Sequence, residues 1–261
     1  MRLTGEIALV TGSSSGIGRA IAVEFAAQGA RVIVTGRDVA RGEAAATAAR
    51  RAALDFGGDA AFVRADLADQ AGCRGLIDAA TERFGGLTVL VNNAVASSVD
   101  ESDGPVTELT TEVWESCLRV NLTAPMWLCQ AAIPLMIEAG RGSIINISSR
   151  AAERASPGLS AYIVSKGGLN ALTRSLAVDY AYQNIRANTI SPGYVLNERR
   201  DAELTDDRRA RLEGMHLTRL GLAADVAHAA VYLAGRESEF VTGINLPLDG
   251  GSSTARGLVL G

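Results

Sequence analysis

Short unbroken apolar runs rich in valine and isoleucine alternate along the chain with longer segments in which apolar residues recur at helical spacing. Runs of the first kind are typical of strands buried on both faces, as in a parallel sheet covered by helices. The pattern predicts strands over 7–11, 32–35, 61–64, 89–92, 143–148, 186–191 and 245–248. It predicts helices over 18–28, 40–56, 70–84, 112–139, 160–182 and 224–235.

The order of these segments, strand then helix repeated from end to end, predicts an α/β fold. We expect a Rossmann-type doubly wound parallel sheet of about seven strands with helices on both faces. A chain of 261 residues is compatible with one such domain. The sequence contains no internal repeat or linker, so we expect a single domain over 1–261.

Composition narrows the class of function. A net charge of -4 and a pI of about 5.3 disfavour a nucleic-acid partner, which would need a basic face. The three cysteines form no CxxC pair and there are two histidines, so no metal site is expected. Reduced thiols indicate a cytoplasmic protein. The chain starts without the apolar core of a signal peptide, and no run of about 18 apolar residues suggests a membrane span.

A glycine-rich turn connects the first predicted strand to the first predicted helix, with the sequence Thr11-Gly12-Ser13-Ser14-Ser15-Gly16-Ile17-Gly18. Glycines at such a turn allow a tight bend and let backbone N–H groups approach a pyrophosphate, whose charge suits the helix N-terminus. The position between a strand and a helix makes the motif far more specific than glycine spacing alone. It predicts a dinucleotide-binding site.

Lys166 is the single lysine among 25 lysine and arginine residues, and it follows Tyr162 by four positions. On a helix this spacing places the phenol and the ammonium on one face. A phenol has a pKa near 10, so acting near neutral pH requires about 4 kcal/mol of stabilisation of its anion. One ammonium about 4 Å away supplies a contribution of that order at an effective dielectric of about 20. The pair predicts a general acid/base.

These motifs in this order resemble those of the short-chain dehydrogenase/reductase family. The resemblance runs from about residue 3 to 251 and includes TGxxxGIG over 11–18, Asn92-Asn93-Ala94, YxxxK over 162–166 and Pro192-Gly193. Ser149 stands 13 residues before Tyr162, which is the family's usual interval. The resemblance implies catalytic roles for Asn121, Ser149, Tyr162 and Lys166. It implies cofactor contacts from Gly12, Ser14, Ser15, Gly16, Ile17, Gly18, Arg37, Asp66, Leu67, Asn93, Tyr162, Lys166, Pro192, Gly193 and Val195.

The end of the second strand bears on the choice of cofactor. Family members that prefer NAD usually have an acidic residue where Gly36 stands, and here Arg37 follows, where a guanidinium could hold a 2'-phosphate. This favours NADP over NAD. Two observations weaken the preference: Ser15 occupies a position that is basic in many NADP-dependent relatives, and Asp38 has the spacing of a ribose ligand.

Substrate recognition is expected from a lid over 194–218, which is variable in the family and here strongly charged. Such a charged segment is typical of a solvated helix face. Arg199 or Arg200 in the lid, or Arg150 or Arg154 after the serine, are the candidates for binding a substrate carboxylate.

Three positions depart from the family's usual sequence. Val95 replaces a glycine, Thr88 replaces an aspartate, and Asn197 stands where a threonine often follows Pro-Gly by a few residues.

The expected activity is transfer of a hydride between a nicotinamide and a carbonyl or secondary alcohol carbon of a small molecule. One alternative is a sensor or scaffold that keeps the fold, and another is reduction of a carbon–carbon double bond. Family members commonly form homotetramers through the helices predicted over 112–139 and 160–182. The apolar tail 257–261 is a further interface candidate.

Overall fold

A computed structural model describes residues 1–54, 56–96, 102–197 and 201–254 of the protein. Its centre is a parallel sheet of seven strands in the order β3-β2-β1-β4-β5-β6-β7. This order reverses direction between β1 and β4, as in doubly wound folds, and confirms the predicted fold class. The strands are β1 (Ile7–Val10), β2 (Arg31–Gly36), β3 (Asp59–Arg64), β4 (Val89–Asn92), β5 (Gly142–Ile147), β6 (Ile185–Pro192) and β7 (Asn245–Leu248).

Helices cover both faces of the sheet. One face packs against α1, α2 and α8, and the other packs against α3, α5 and α6. The helices are α1 (Gly16–Ala27), α2 (Val39–Ala52), α3 (Gln70–Phe84), α4 (Thr111–Leu118), α5 (Ala124–Glu138), α6 (Ser160–Tyr180), α7 (Asp206–Glu213) and α8 (Ala223–Ala234).

The central strand β1 explains why the strands read as unbroken apolar runs. Ala8 and Val10 belong to the core on one face of the sheet, whereas Ile7 and Leu9 belong to the core on the other. Successive side chains of a strand point to opposite faces, so a strand covered on both sides needs apolar residues throughout. Burial of each large aliphatic side chain stabilises the fold by about 1.5–3 kcal/mol.

The helix predicted over 112–139 is more complex than the prediction. It consists of α4, a π-helical turn over Arg119–Thr123, and α5. The whole segment has 28 residues, and a window of 18 residues within it has mean hydropathy 1.4, which meets the length and composition expected of a membrane span. However, Leu128, Ala132 and Met136 of α5 are buried in the core against the sheet and α3. The helix is therefore a core element of the fold.

A chain of buried polar side chains attaches α6 to the sheet. Asn92 Nδ2 donates to Asn146 Oδ1 at 2.8 Å, and Asn146 Nδ2 donates to Thr173 Oγ1 at 2.8 Å. Thr189 Oγ1 also donates to Thr173 Oγ1 at 2.8 Å. Buried hydrogen bonds of this kind specify geometry more than an apolar contact would, because leaving one unmade costs about 1–3 kcal/mol. They fix the height of α6 above the sheet.

Candidate active site

A cavity of about 840 Å³ opens at the carboxyl edge of the sheet, a volume in the range of small-molecule and cofactor sites. The structure brings every predicted cofactor contact to its wall. These are Gly12, Ser14, Ser15, Gly16, Ile17, Gly18, Arg37, Asp66, Leu67, Asn93, Tyr162, Lys166, Pro192, Gly193 and Val195. Ser149 lines the same cavity, whereas Asn121 lies behind the wall.

The glycine-rich turn packs tightly against the end of β4. Gly12 has φ +61°, and a Cβ there would lie 2.9 Å from Ala94 Cα. A Cβ on Gly18 would lie 2.5 Å from Asn93 Nδ2. Both distances are too short for any side chain, so glycine is required by this close approach.

Hydrogen bonds join the same two segments. Asn93 Nδ2 donates to the carbonyl oxygen of Thr11 at 2.9 Å. Thr11 Oγ1 accepts from the backbone N–H of Asn93 at 2.8 Å and of Ala94 at 3.1 Å. The turn and the β4 end therefore form one rigid unit. The sequence identified Asn93, but not the part played by the Thr11 hydroxyl.

The N-terminus of α1 fits an anionic ligand. Its N-cap residue, Ser15, makes no side-chain capping bond, and the first turn contains no acidic residue. The first N–H groups of a helix lack intrahelical partners and carry the positive end of the helix dipole. A pyrophosphate at this end of the cavity would bind those groups.

The adenosine end of the cavity carries charges of both signs, from Arg37, Arg41, Asp38 and Asp66. Gly36, Arg37, Asp38 and Arg41 line it. Asp38 caps α2 by accepting from the backbone N–H of Arg41 at 3.0 Å, and its other oxygen pairs with Arg41 Nε at 2.8 Å. The hydrogen bond from the Arg41 backbone, together with the Arg41 charge, lowers the pKa of Asp38. The Asp38 carboxylate is thus engaged within α2, and Arg41 is a basic residue that the sequence interpretation missed.

Lys166 lies beneath Tyr162 with 2% of its surface exposed. Its Nζ donates to the carbonyl oxygen of Ile147 at 2.7 Å and lies 5.8 Å from the centroid of the Tyr162 ring. Burial away from water lowers the pKa of Lys166 to about 8. The cation is therefore close enough to act on the phenol, and its own charge is sensitive to pH in a range where enzymes work.

The two serines after β5 differ in their contacts. Ser148 is buried, and its Oγ donates to the carbonyl oxygen of Lys166 at 3.2 Å, which ties the strand end to α6. Ser149 Oγ accepts from the backbone N–H of Ala151 at 3.1 Å and lines the cavity. Ser148 lines the cavity as well, but its hydroxyl is already bonded to the α6 backbone. The catalytic role of Ser149 stays a prediction.

Asn121 stands at the centre of the π-helical turn over Arg119–Thr123. Its Oδ1 accepts from the backbone N–H of Ala96 at 2.9 Å, and its Nδ2 donates to Ser165 Oγ at 3.0 Å. Ser165 Oγ in turn donates to the carbonyl oxygen of Tyr162 at 2.7 Å. The helix is thus distorted at Asn121, and Asn121 connects the loop after β4 to the helix that carries Tyr162.

Asp103 contacts the first turn of α6 and was not identified from the sequence. Its carboxylate accepts from the backbone N–H of Ala161 at 3.1 Å and of Tyr162 at 2.9 Å. The N-cap position of α6 is Leu159, which cannot cap, and the first turn has no acidic residue. Asp103 thus caps from a distant loop the helix that carries the phenol. No local sequence signal indicates such a contact.

The lid is attached to the end of β6 by His216 and Asp201. His216 Nε2 accepts from the backbone N–H of Tyr194 at 3.2 Å, so Nδ1 carries the proton and donates to the carbonyl oxygen of Leu212 at 2.7 Å. Asp201 accepts from the Tyr194 hydroxyl at 2.6 Å and from the Asn197 N–H at 2.8 Å. These contacts also escaped the sequence interpretation.

Comparison with known proteins now adds to this geometry. A family model described as enoyl-(acyl carrier protein) reductase matches residues 12–253. A 2,5-dichloro-2,5-cyclohexadiene-1,4-diol dehydrogenase of Sphingobium indicum is 37% identical over 255 residues, which are 97% of this chain and 98% of the relative. An NADP-dependent (R)-specific alcohol dehydrogenase of Lentilactobacillus kefiri is 38% identical over 262 residues, covering 96% of this chain and 97% of the relative. The chain belongs to the short-chain dehydrogenase/reductase family.

A solved structure from this family supports the same assignment. A short-chain type dehydrogenase/reductase from Mycobacterium ulcerans matches with a TM-score of 0.91 and 28% identity, over 98% of this chain and 93% of that one. The protein is accordingly an oxidoreductase of the dehydrogenase/reductase type.

Two of the departures from the usual family sequence have simple structural explanations. Val95 lines the cavity, and its φ is not positive, so the loop avoids the conformation that would require glycine. Thr88 lies at the opposite edge of the sheet, where its Oγ1 accepts from the Ile7 N–H at 3.0 Å and donates to Glu6 Oε2 at 2.5 Å. Thr88 therefore has no contact with a bound cofactor.

The third departure, Asn197, belongs to the cofactor end of the short-chain dehydrogenase/reductase site. It lines the cavity, and its Nδ2 would lie 3.0 Å from a Cβ placed on Gly16. The Asn197 amide therefore lies beside the glycine-rich turn.

The four arginines considered for substrate recognition differ in their position relative to the cavity. Arg150 lines the cavity. Arg154 does not: it is exposed, and its Nη1 donates to the carbonyl oxygen of Ser252 at 2.8 Å. Arg199 and Arg200 lie outside the described residues. The charged helix α7 of the lid buries no residue, as expected of a solvated helix.

Proposed function

We propose that the protein is an NADP-preferring oxidoreductase that transfers a hydride between the nicotinamide and a carbonyl or secondary alcohol carbon, with Tyr162 as the general acid/base. The observation that carries the proposal is the shared cavity of the glycine-rich turn with Ser149, Tyr162 and Lys166. A scaffold without activity would have no need for a buried, desolvated lysine next to a tyrosine.

The roles of the side chains follow from their positions. When bound, the cofactor supplies or accepts the hydride. In the direction of reduction Tyr162 gives its hydroxyl proton to the carbonyl oxygen, and Ser149 holds that oxygen by a hydrogen bond. Lys166 stabilises the phenolate left behind, since its ammonium lies close to the ring and is shielded from water. Asn121 does not line the cavity and acts indirectly, by holding in place the helix that carries Tyr162.

The preference for NADP rests on the adenosine end of the cavity. Gly36 offers no carboxylate to the ribose hydroxyls, and Arg37 and Arg41 both line this end. A guanidinium is the side chain best suited to a phosphate. A curated relative is named as an NADP-dependent alcohol dehydrogenase, which is consistent with the preference.

A homotetramer and a cytoplasmic location are part of the same proposal. Helices α5 and α6 expose large apolar side chains, namely Met126, Ile137, Val164 and Val178. Tyr232 and Phe240 are exposed near the last helix. Exposed apolar surface of this extent suits contacts between subunits. The tail 257–261 lies outside the described residues.

The test is the loss of absorbance at the NADPH band when the protein is mixed with a panel of ketones, aldehydes, oxo acids and an enoyl thioester. We expect turnover with carbonyl substrates. Turnover with the enoyl thioester alone would assign carbon–carbon double bond reduction, which the description of the matching family model makes worth testing. Binding of NADPH without oxidation by any substrate would contradict the proposal in favour of a sensor.

A further inference from the structure

The cavity wall beside Ser149 includes an arginine that the mechanism above does not use. Ser149 caps the short 3-10 turn over Arg150–Ala152, so Arg150 is the first residue after the serine expected to hold the substrate oxygen. Arg150 lines the cavity and is partly buried. Its side chain therefore borders the space in which a substrate would lie.

Arg150 has no partner within the part of the chain that the structure describes: its guanidinium makes no hydrogen bond or ion pair there. The nearby Arg154 behaves differently, since it is exposed and donates to Ser252. A guanidinium keeps its charge at any working pH and carries five N–H donors. At the cavity wall, with no acceptor from the described protein, these donors are available to a bound anion.

The charges around Arg150 also favour a bound anion. Among the described residues that line the cavity, the carboxylates are Asp38 and Asp66, and both belong to the adenosine end. Asp38 is already paired with Arg41. The half of the cavity near Ser149 therefore has positive charge from Arg150 and Lys166 and no carboxylate from this set. The Lys166 ammonium already lies over the Tyr162 ring and donates a hydrogen bond to the Ile147 carbonyl oxygen.

We propose that Arg150 binds a carboxylate of the substrate, so that the enzyme acts on oxo acids and the corresponding hydroxy acids in preference to uncharged ketones. This inference rests on the proposed function. The planar guanidinium can hold both carboxylate oxygens at once, which fixes orientation as well as affinity. Leu159 and Met215 line the same cavity and suit the hydrocarbon chain between carbonyl and carboxylate.

The test compares 2-oxo, 4-oxo and 5-oxo carboxylates with their methyl esters, which keep the ketone and remove the charge. The measured quantity is the ratio of kcat/KM for each acid to that for its ester, with NADPH as reductant. The series varies the distance between the carbonyl and the carboxylate. We expect at least one acid to be preferred over its ester in the wild-type protein.

The decisive variants are Arg150→Gln, Arg150→Lys and, as a matched control, Arg154→Gln. We expect Arg150→Gln to lower the acid-to-ester ratio by about 10- to 100-fold, the effect of losing a charged hydrogen-bonding partner. Arg150→Lys should keep part of the preference for the acid, because the ammonium keeps the positive charge but cannot hold both carboxylate oxygens as a planar guanidinium does. Arg154→Gln should leave the ratio as in the wild type. A ratio that is the same in Arg150→Gln and wild type would overturn the proposal.

Binding separates this proposal from the proposed function. Calorimetric titration of the NADPH-loaded protein with the hydroxy acids of the same series and with their esters reports recognition without turnover, because neither partner can accept a hydride. Binding of the acid that is lost in Arg150→Gln, in a protein that oxidises no NADPH, would keep the assignment of Arg150 and contradict the activity. Turnover of neutral ketones, with no preference for any acid in rate or binding, would keep the activity and contradict the assignment of Arg150.

Discussion

Lys166 has an ammonium group that is almost entirely shielded from water, and this burial lowers its pKa to about 8. The sequence interpretation treats the lysine as a full cation that stabilises the phenolate. The structure adds that burial makes the ammonium form of Lys166 costly, so its charge changes with pH in a range where enzymes work. An arginine at this position would stay protonated at any working pH and could not change its charge in this way.

The first prediction concerns the titration of this group. Because the chain has one lysine, labelling lysine with ¹³C at Cε gives a single side-chain NMR signal to follow. We expect a midpoint near pH 8 in the protein without cofactor. A midpoint near that of free lysine, about 10.4, would show that Lys166 is solvated.

The same shift makes stability depend on pH. The folded protein loses the Lys166 proton near pH 8, whereas the unfolded chain keeps it up to about 10.5. Between these values the unfolded state binds more protons, so the free energy of unfolding rises with pH, by up to about 3 kcal/mol. Lys166→Met should lose this rise, as measured by urea unfolding at several pH values. An equal rise in the variant would assign it to other groups.

The choice of cofactor also depends on single residues. Arg37→Ala should weaken binding of NADPH by about tenfold or more, because it removes a partner of the 2'-phosphate, and should change NADH binding little. Fluorescence titration of both cofactors measures this. Arg64→Ala is the control, since Arg64 Nε contacts only the Arg37 carbonyl in the described structure. Equal loss for both cofactors in Arg37→Ala would contradict a role at the 2'-phosphate.

At the scale of elements, the position of Tyr162 depends on how α6 begins. The helix has Leu159 at its N-cap position, and Asp103 supplies the missing acceptor from the loop before α4. Asp103→Ala should lower the free energy of unfolding by about 1 kcal/mol, as for other N-cap losses. Because the two N–H groups belong to the turn that carries the phenol, we also expect kcat to fall about tenfold while NADPH affinity stays within about twofold.

The control for Asp103 is Asp179→Ala on the same helix. Asp179 is exposed and accepts only from Ser175 Oγ among the described contacts, so its loss should leave kcat unchanged. Asp103→Asn should be milder than Asp103→Ala, since an amide oxygen can still accept one of the two N–H groups. Wild-type kcat in Asp103→Ala would show that the cap does not position Tyr162.

The elements also show how far the sequence could be used. Unbroken apolar runs such as Ile7–Val10 were recognisable as buried strands because both faces of the sheet are covered. The spacing of Tyr162 and Lys166 was readable because both lie on one helix. The Asp103 cap and the Asn121 link to Ser165 were not predictable, since each joins positions far apart in sequence through side-chain bonds that leave no periodic pattern. The family resemblance implied a catalytic role for Asn121, but it did not indicate the contacts that Asn121 makes.

At the scale of the whole molecule, we expect four chains of 27.1 kDa to associate through α5 and α6. Val178 is 75% exposed on α6 and would be buried in such an assembly. Val178→Glu should therefore reduce the mass measured by light scattering, because a buried carboxylate without a partner is costly. Leu54→Glu, at a site 80% exposed after α2, is the control and should leave the mass unchanged. A wild-type monomer would contradict the predicted assembly.

The assignment of Tyr162 as the acid/base is most directly tested by the variant Tyr162→Phe, which removes one oxygen from the cavity and keeps the ring beside Lys166. NADPH binding is measured by fluorescence, and NADPH oxidation with the best carbonyl substrate is measured by absorbance on the same sample. The account predicts binding within a few-fold of wild type and a loss of turnover of at least about a thousandfold, in line with loss of general acid catalysis. Turnover at the wild-type rate would contradict it.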